Sequence, residues 1–367
     1  MAPFDGSLVL ETLPQLLLNV TAVENNIAIK ETWAREHSMV LAPHIKTTMT
    51  REIVERQLSG AWGVTVATTG QAADAVEWGA KRILIANEVV FRPHLELLRD
   101  MTLSAEIYCL ADSAAGIELM ADVFKDSARP LHVLIDAGMA GGRTGIRRIE
   151  EAEPLARMIE SAPGLNLAGV SAYEGIAPNL RTAENLALVD AHCSFARDVF
   201  ESLHSMLGAR PVFSIGGSAF QDRAAMFLPG TPSVNVLRSG CYVVHDHGTY
   251  AGVSPIPGLT AAAVVRAVVI SVPEPGRAVI GAGKRELAYD AGLPVIVARH
   301  RSGAVQAGPP GEVERLFDHH AVVDNAEGFE VGDTVDFGIS HPCSVFDRWR
   351  DVVAVIGDST EIWHPAF

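Results

Sequence analysis

The sequence predicts an α/β fold: a (β/α)8 barrel of the TIM type followed by a β domain. Three observations carry this reading. Eight short apolar runs, at 39–46, 63–68, 82–87, 105–112, 131–138, 167–173, 212–217 and 234–242, alternate with stretches of helical spacing. Apolar runs of this length are what parallel strands buried on both faces require, and eight strand–helix units make a closed barrel. No Gly-x-Gly-x-x-Gly follows the first run, which weakens the alternative of a doubly wound dinucleotide-binding sheet. Beyond about residue 255 the long helical patterns stop, and runs at 263–270, 295–298 and 334–339 alternate with Pro/Gly turns. The expected domains are a barrel over 25–255 and a β domain built from 256–367 together with 1–24, the early residues either leading into the barrel or adding a strand to the β domain.

Taken in order, the first run ends in Pro43-His44-Ile45-Lys46, and Thr47-Thr48 read as the cap of the helix that follows. The helical stretches 51–58 and 71–78 are each followed closely by glycine, Gly60 and Gly79, as helix C-termini often are. The fifth run ends in Asp136 and opens a glycine-rich loop to Gly145 whose one cation is Arg143. The sixth ends at Tyr173, the seventh in Ser214-Ile-Gly-Gly-Ser218, and the eighth in Leu237-Arg-Ser-Gly-Cys-Tyr242.

The chain has 367 residues, 48% of them hydrophobic and 20% charged, enough for two domains. A formal charge of -15 argues against a nucleic-acid backbone as partner. The four cysteines, Cys109, Cys193, Cys241 and Cys343, are widely spaced and predict a reduced, cytoplasmic setting. The N-terminus shows no basic segment leading into an apolar one. The best apolar stretch, 261–272, is short and contains Arg266, so neither a signal peptide nor a membrane span is expected.

In a barrel of this kind the loops after the strands form the active face. Lys46 stands at the end of the first strand, where a desolvated amine can form a Schiff base; its plain alternative is a solvated strand-end lysine. Gly217 and Ser218 after the seventh strand, with Gly240 and Tyr242 after the eighth, pair close-approach glycines with hydroxyl donors at the usual phosphate site of the fold; taken singly each is a turn. Arg143 can serve a cofactor ring nitrogen or a carboxylate, or sit solvated on a glycine-rich loop. Far along the chain, His341 and Cys343 at i and i+2 point to one side of an extended segment and form a zinc-type ligand pair; the short motif also arises by chance. The tandem His319-His320 is either a further polar contribution or an exposed turn.

Together Pro43-His-x-Lys-Thr47, Gly-Arg-Thr-Gly at 142–145, Tyr173-Glu-Gly175, Gly216-Gly-Ser218, Gly240-x-Tyr242, Ala282-Gly-Lys284, Asp290-Ala-Gly-Leu-Pro294 and Ser340-His-Pro-Cys343 resemble the D-serine dehydratase/D-threonine aldolase family, most closely its amino acid deaminase branch. The resemblance runs from about residue 15 to about 350 and implies a fold type III, alanine-racemase-like pyridoxal-phosphate enzyme. It implies that Lys46 forms the Schiff base and removes the proton at Cα. His44, Arg143, Tyr173, Gly217, Ser218, Gly240 and Tyr242 would bind the cofactor, and His341 and Cys343 a divalent metal, zinc first and manganese or magnesium as alternatives. The implied substrate is a D-3-hydroxy amino acid of the D-serine or D-threonine type, dehydrated to a 2-oxo acid and ammonia by a homodimer. Many family members continue the lysine motif as Lys-Thr-His-Lys; here it reads Lys46-Thr-Thr-Met49, which puts D-serine itself in doubt.

Three other readings share these residues. A D-threonine aldolase-type enzyme would cut Cα–Cβ to give glycine and an aldehyde; that branch is expected to carry a carboxylate where Cys343 stands. An amino acid racemase needs a second base, for which Tyr250 or Tyr289 is available. A non-catalytic pyridoxal-phosphate carrier resembles the barrel alone, and the β domain with His341 and Cys343 argues against it.

Overall fold

A computed structural model describes residues 4, 12–175 and 177–367. The part of the N-terminal segment comprising residues 1–3 and 5–11, expected to belong to the β domain, lies outside the described residues. Contacts group the chain into two compact units. One contains Lys30–Lys46 and Val54–Gly240; the other contains Thr47–Ile53, Cys241–Phe367 and the described residues up to Ile29.

In chain order the structure begins with strand β1 (Gln15–Asn19) and helix α1 (Val20–Glu36), followed by β2 (Val40–Leu41) and α2 (Arg51–Leu58). Next come β3 (Val64–Val66), α3 (Thr69–Glu77), β4 (Arg82–Glu88), α4 (Arg92–Met101), β5 (Glu106–Ala111) and α5 (Ala114–Phe124). They are followed by β6 (Leu131–Ala137), α6 (Ala152–Ser161), β7 (Leu165–Ala172), α7 (Ala183–Ser202), β8 (Val212–Ser214), α8 (Gln221–Met226), β9 (Val234–Leu237) and α9 (Thr249–Val253).

Strands β2 to β9 form one sheet of eight in the order β2-β9-β8-β7-β6-β5-β4-β3, and every pairing is parallel. The two ends of that order meet: His44 bridges Thr65, and the Thr65 amide donates to the Pro43 carbonyl at 2.8 Å. The barrel therefore closes just before Lys46. Its interior is filled by Ala42, Leu84, Tyr108, Leu110, Leu134, Ala168, Val212 and Val236, contributed by strands all around the sheet. Helices α3, α5 and α7 start at hydroxyl caps that accept backbone N–H groups: Thr68 from Gln71, Ser113 from Gly116 and Thr182 from Asn185. After α3 the chain turns through Gly79 at φ +92°, a conformation open to glycine without steric cost.

The lysine segment departs from the expected cap. Residues Ile45–Thr47 form a single 3-10 turn, Met49 takes φ +40°, and α2 starts only at Arg51. The reason is tertiary: Thr47 and Met49 are buried and held from far along the chain, Thr47 by Cys343 and the Met49 carbonyl by the Ala366 amide at 2.7 Å.

The other unit is a ten-stranded sheet. It comprises β1 with β10 (Ala263–Glu274), β11 (Arg277–Ile280), β12 (Val295–Arg301), β13 (Ala304–Ala307), β14 (Glu312–Leu316), β15 (Ala321–Asp324), β16 (Thr334–Gly338), β17 (Val352–Ile356) and β18 (Ser359–Trp363). The main path runs β13-β12-β16-β10-β1-β17-β18. β1 lies inside it, antiparallel to β10 and parallel to β17, so the early residues do add a strand to this sheet. Leu16 and Leu18 pack with Val265, Ala267, Val335, Phe337 and Val352 on one face, while Leu17 packs with Val264 and Val353 on the other, the alternation expected of a pleated strand. Arg266, which interrupts the apolar run of β10, is buried against Asp336 (2.6 Å) and His300 (3.0 Å). Residues 241–255, expected in the barrel, group with this unit. Among the described residues no helix is long and apolar enough to cross a membrane.

Candidate active site and metal centre

At the carboxyl ends of the barrel strands, Lys46 is exposed on its 3-10 turn while Ile45 and Thr47 beside it are buried. His44, one residue pair earlier, is fixed by the strand bridge and by its own amide, which donates to the Arg238 carbonyl at 3.1 Å. Burial first, then the cations of Lys46 and Arg238, pushes the His44 imidazole well below its usual range, so the ring is neutral at physiological pH. Arg238 is itself buried, donating to the Ser171 hydroxyl at 2.5 Å and to the Ala172 carbonyl; burial lowers its pKa, and the carboxylates of Asp136 and Glu174 oppose that shift.

Arg143, Tyr173 and Gly217 come together. The guanidinium of Arg143 lies 4.8 Å from the centre of the Tyr173 ring, in cation–π range. A Cβ added to Gly217 would fall 2.9 Å from Tyr173 Cε2, so the tyrosine ring rests directly on this glycine. The Arg143 loop is tied down by Thr144, whose hydroxyl donates to Asp136 at 2.8 Å, and by the Gly145 amide, which donates to Asp112 at 2.8 Å.

The loop after β8 aims two backbone donors at one carboxyl group. The amides of Gly216 and Gly217 donate to the two oxygens of the buried Glu174 carboxylate, at 3.2 and 2.5 Å. Burial raises the Glu174 pKa, and the Gly217 amide works against that rise. Gly216 takes φ +109° and a Cβ there would lie 2.2 Å from Leu237 Cδ1, so the turn needs glycine for both conformation and space. Ser218 is half-buried and Gly240 buried at the neighbouring strand ends. Tyr242 is buried too, but it belongs to the β-sheet unit, as do His341 and Cys343.

In that unit, one ligand atom each from Cys241, His341 and Cys343 lie within 4.8 Å of one another. The Sγ atoms of Cys241 and Cys343 are 3.3 Å apart. His341 Nδ1 is 2.7 Å from an Asp290 oxygen, and Asp290 also accepts from the Ser344 hydroxyl. Burial alone would raise the Asp290 pKa; the hydrogen bonds from Ser344 and His341 outweigh it and hold the carboxyl below its usual range. A carboxylate on one ring nitrogen leaves the other for a metal, the arrangement that orients histidine ligands in general. Thr47 Oγ1 approaches Cys343 Sγ at 3.5 Å.

Sequence reasoning missed four of these groups. Cys241 sat inside the Gly240-x-Tyr242 motif without a role, and Asp290 opened a recognised segment without one. Glu174 lay in Tyr173-Glu-Gly175 and was not assigned. Glu88 ends β4, and burial, then Asp112 and Asp136, push its carboxyl up to about 8. His319 and His320 are the exposed turn of the two alternatives: both are at the surface, and His319 bonds Glu286 at 2.7 Å. Of the two tyrosines considered as a second base, Tyr250 lies 6.1 Å, ring to ring, from His341, whereas Tyr289 is 44% exposed beneath Lys284 and Arg348.

Comparison with known proteins agrees with this architecture. Residues 18–246 match the family described as alanine racemase, N-terminal domain, and residues 262–355 match the putative serine dehydratase domain. A D-threonine aldolase of Arthrobacter sp is 28% identical over 360 residues, spanning 95% of this chain and 91% of the relative. The crystal structure of D-threonine aldolase from Filomicrobium marinum aligns with a TM-score of 0.84 at 25% identity, over 96% of this chain and 95% of that one. D-threo-3-hydroxyaspartate dehydratase from Delftia sp. HT23 has the same fold, with a TM-score of 0.84 at 20% identity and 99% of both chains covered.

Proposed function

The chain belongs to the family of the alanine racemase N-terminal domain and is a pyridoxal-phosphate-dependent lyase, and we propose that it removes water from D-3-hydroxy amino acids, giving a 2-oxo acid and ammonia. The observation that carries this reading is the donor set of the metal centre, His341 and Cys343 with Asp290 behind the histidine. A thiolate in that position favours a zinc-like ion over magnesium or manganese, and its Lewis acidity serves the departure of a hydroxyl group.

The residues present fit the cofactor. The Gly216 and Gly217 amides point to one spot, where they meet the buried Glu174 carboxyl group, so this turn presents backbone donors of the kind a phosphate needs. In this reading Gly217 and Ser218, with Gly240 and Tyr242, hold the phosphate. His44, Arg143 and Tyr173 line the ring, and Lys46 is the Schiff-base residue. Bound there, pyridoxal phosphate supplies the electron sink that lets a proton leave Cα, and a divalent ion on His341 and Cys343 supplies the Lewis acid for the departing hydroxide.

The chain's own groups then have defined tasks. Lys46, exposed at the strand end, takes the proton from Cα. His44 stays neutral beside it because burial and the neighbouring cations disfavour its charged form. Arg143, held over Tyr173, presents a fixed cation to the ring or to the substrate carboxylate. Loss of hydroxide from Cβ yields an enamine, which tautomerises and takes up water to give the 2-oxo acid and ammonia. The reading includes a homodimer, which analytical ultracentrifugation would test.

A second reading, retro-aldol cleavage to glycine and an aldehyde, draws support from the 28% identity to D-threonine aldolase over nearly the whole chain. One experiment separates the two. The protein is incubated with D-serine, D-threonine and D-3-phenylserine, with and without zinc, manganese or magnesium, and assayed for 2-oxo acid plus ammonia and for glycine plus aldehyde. Dehydration predicts the first pair of products; glycine as the sole amino product overturns it. Chelation should stop turnover while the bound cofactor keeps its absorbance, which a racemase or a carrier would not show.

A further inference from the structure

We propose that Cys241 is a third ligand of the metal centre, so that two thiolates and one imidazole surround an ion with a single open position. This rests on the reading of His341 and Cys343 as metal ligands and adds a residue which that reading does not contain.

The placement of Cys241 is built rather than incidental. It opens a one-turn helix, Cys241–Val243, whose three residues are all buried. The turn is pinned on both sides: the Cys241 carbonyl accepts from the His245 amide at 2.7 Å, the Val243 carbonyl from the Asn26 side chain at 3.2 Å, and the Val244 carbonyl from the Ala262 amide at 2.7 Å. With the backbone so fixed, Sγ is aimed at Cys343 across 102 residues of sequence and stops at 3.3 Å. Two sulfurs on one tetrahedral zinc, each about 2.3 Å from the ion, lie about 3.8 Å apart, so the pair needs to open by only about half an ångström to share an ion.

The rest of the cluster supports the same assignment. His341 is committed through Nδ1 to Asp290, so one ring nitrogen remains for the cluster. No carboxylate belongs to the three-residue ligand group, so its donors are two sulfurs and a nitrogen. That set selects zinc-like ions over magnesium and manganese, which prefer oxygen. Three protein ligands also leave one coordination position for water or a substrate oxygen, the arrangement of catalytic rather than structural zinc sites. Cys241 is thus a determinant of which metal the centre accepts.

The test uses the full-length holoenzyme loaded with cobalt(II), whose near-ultraviolet thiolate-to-metal absorption grows with the number of thiolates bound. Wild type should bind one equivalent. Cys241→Ser and Cys343→Ser should each lose about half of the band and bind zinc at least about tenfold more weakly in chelator competition. Cys241→Asp should keep one equivalent of metal with the band still halved, which a merely structural role would not produce. Should the serine variant misfold, alkylation of wild type gives the same answer: zinc should protect Cys241 and Cys343 together. A Cys241→Ser protein with full band and unchanged zinc affinity, beside a Cys343→Ser protein that has lost the band, overturns the role of Cys241 alone. So does alkylation of Cys241 that is indifferent to zinc. Absence of any zinc or cobalt binding by wild type overturns the assignment of His341 and Cys343 as well.

Discussion

The Asp290 carboxylate lies 2.7 Å from Nδ1 of His341 and so fixes which face of the imidazole is turned toward Cys241 and Cys343. The same carboxylate accepts from Ser344, so its position does not depend on the histidine alone. Replacing it by the neutral isostere, Asp290→Asn, should weaken metal binding by about 10–100-fold while the absorbance of the bound cofactor is retained. Chelator competition followed by metal analysis checks this; unchanged affinity would show that the hydrogen bond orients nothing.

Lys46→Ala should abolish the visible absorbance of the Schiff-base cofactor. It should also lower turnover by about 10²–10⁴-fold or more, the range for loss of a general base. A variant that keeps the absorbance would remove the lysine from the cofactor assignment.

Gly217→Ala would place a methyl group 2.9 Å from Tyr173 Cε2 and 3.3 Å from a Glu174 oxygen. One or both neighbours must shift, which disturbs the Arg143–Tyr173 stack or the Glu174 bonds to the Gly216–Gly217 turn. Cofactor affinity should fall about tenfold, a change worth about 1.4 kcal/mol, as read by titration of the apoprotein with pyridoxal phosphate. Equal affinity in the two proteins would count against a phosphate site in this loop.

Glu88 gives a pH signature. Its carboxyl is raised from 4.5 to about 8 by burial and by Asp112 and Asp136, and its Oε1 has no hydrogen-bond partner among the described residues. A folded pKa above the unfolded one means the folded state holds the extra proton between these values. Stability therefore falls as pH rises from about 4.5 through about 8, by up to a few kcal/mol. Glu88→Gln should flatten this dependence, so the variant gains on wild type in melting temperature between pH 6 and 9. Parallel declines in both proteins would refute the assignment.

Arg266 and Asp336 form a buried pair at 2.6 Å, with His300 2.8 Å from the same carboxylate. Arg266→Leu leaves the carboxylate without its guanidinium and should cost about 3–5 kcal/mol, measured by denaturant unfolding. A loss under about 1 kcal/mol would mean that His300 compensates by itself.

The barrel was legible because its signals are local. Each parallel strand is a short apolar run, each helix a period and a cap, and the glycines at 216 and 217 announce a backbone turn before any partner is known. Lys46 and the strand-end residues followed from that order, since the topology puts every strand's carboxyl end on one face. The cap of α2 was misread for the opposite reason, although the helix itself runs over the expected 51–58. Thr47 and Thr48 carry capping hydroxyls, but contacts with Cys343 and Ala366 hold this segment as a 3-10 turn.

What the sequence by itself determined is the succession of strands and helices, the lysine at the first strand end, the glycine turns and the His341–Cys343 pair, all written in neighbouring residues. What only the tertiary structure decided is which distant groups meet. It set β1 between β10 and β17, Asp290 against His341, Glu174 on the Gly216 and Gly217 amides, and Cys241 beside Cys343. Such pairings span tens to hundreds of residues. They are fixed by the packing of buried faces and the need to satisfy buried polar groups, and no local periodicity encodes them.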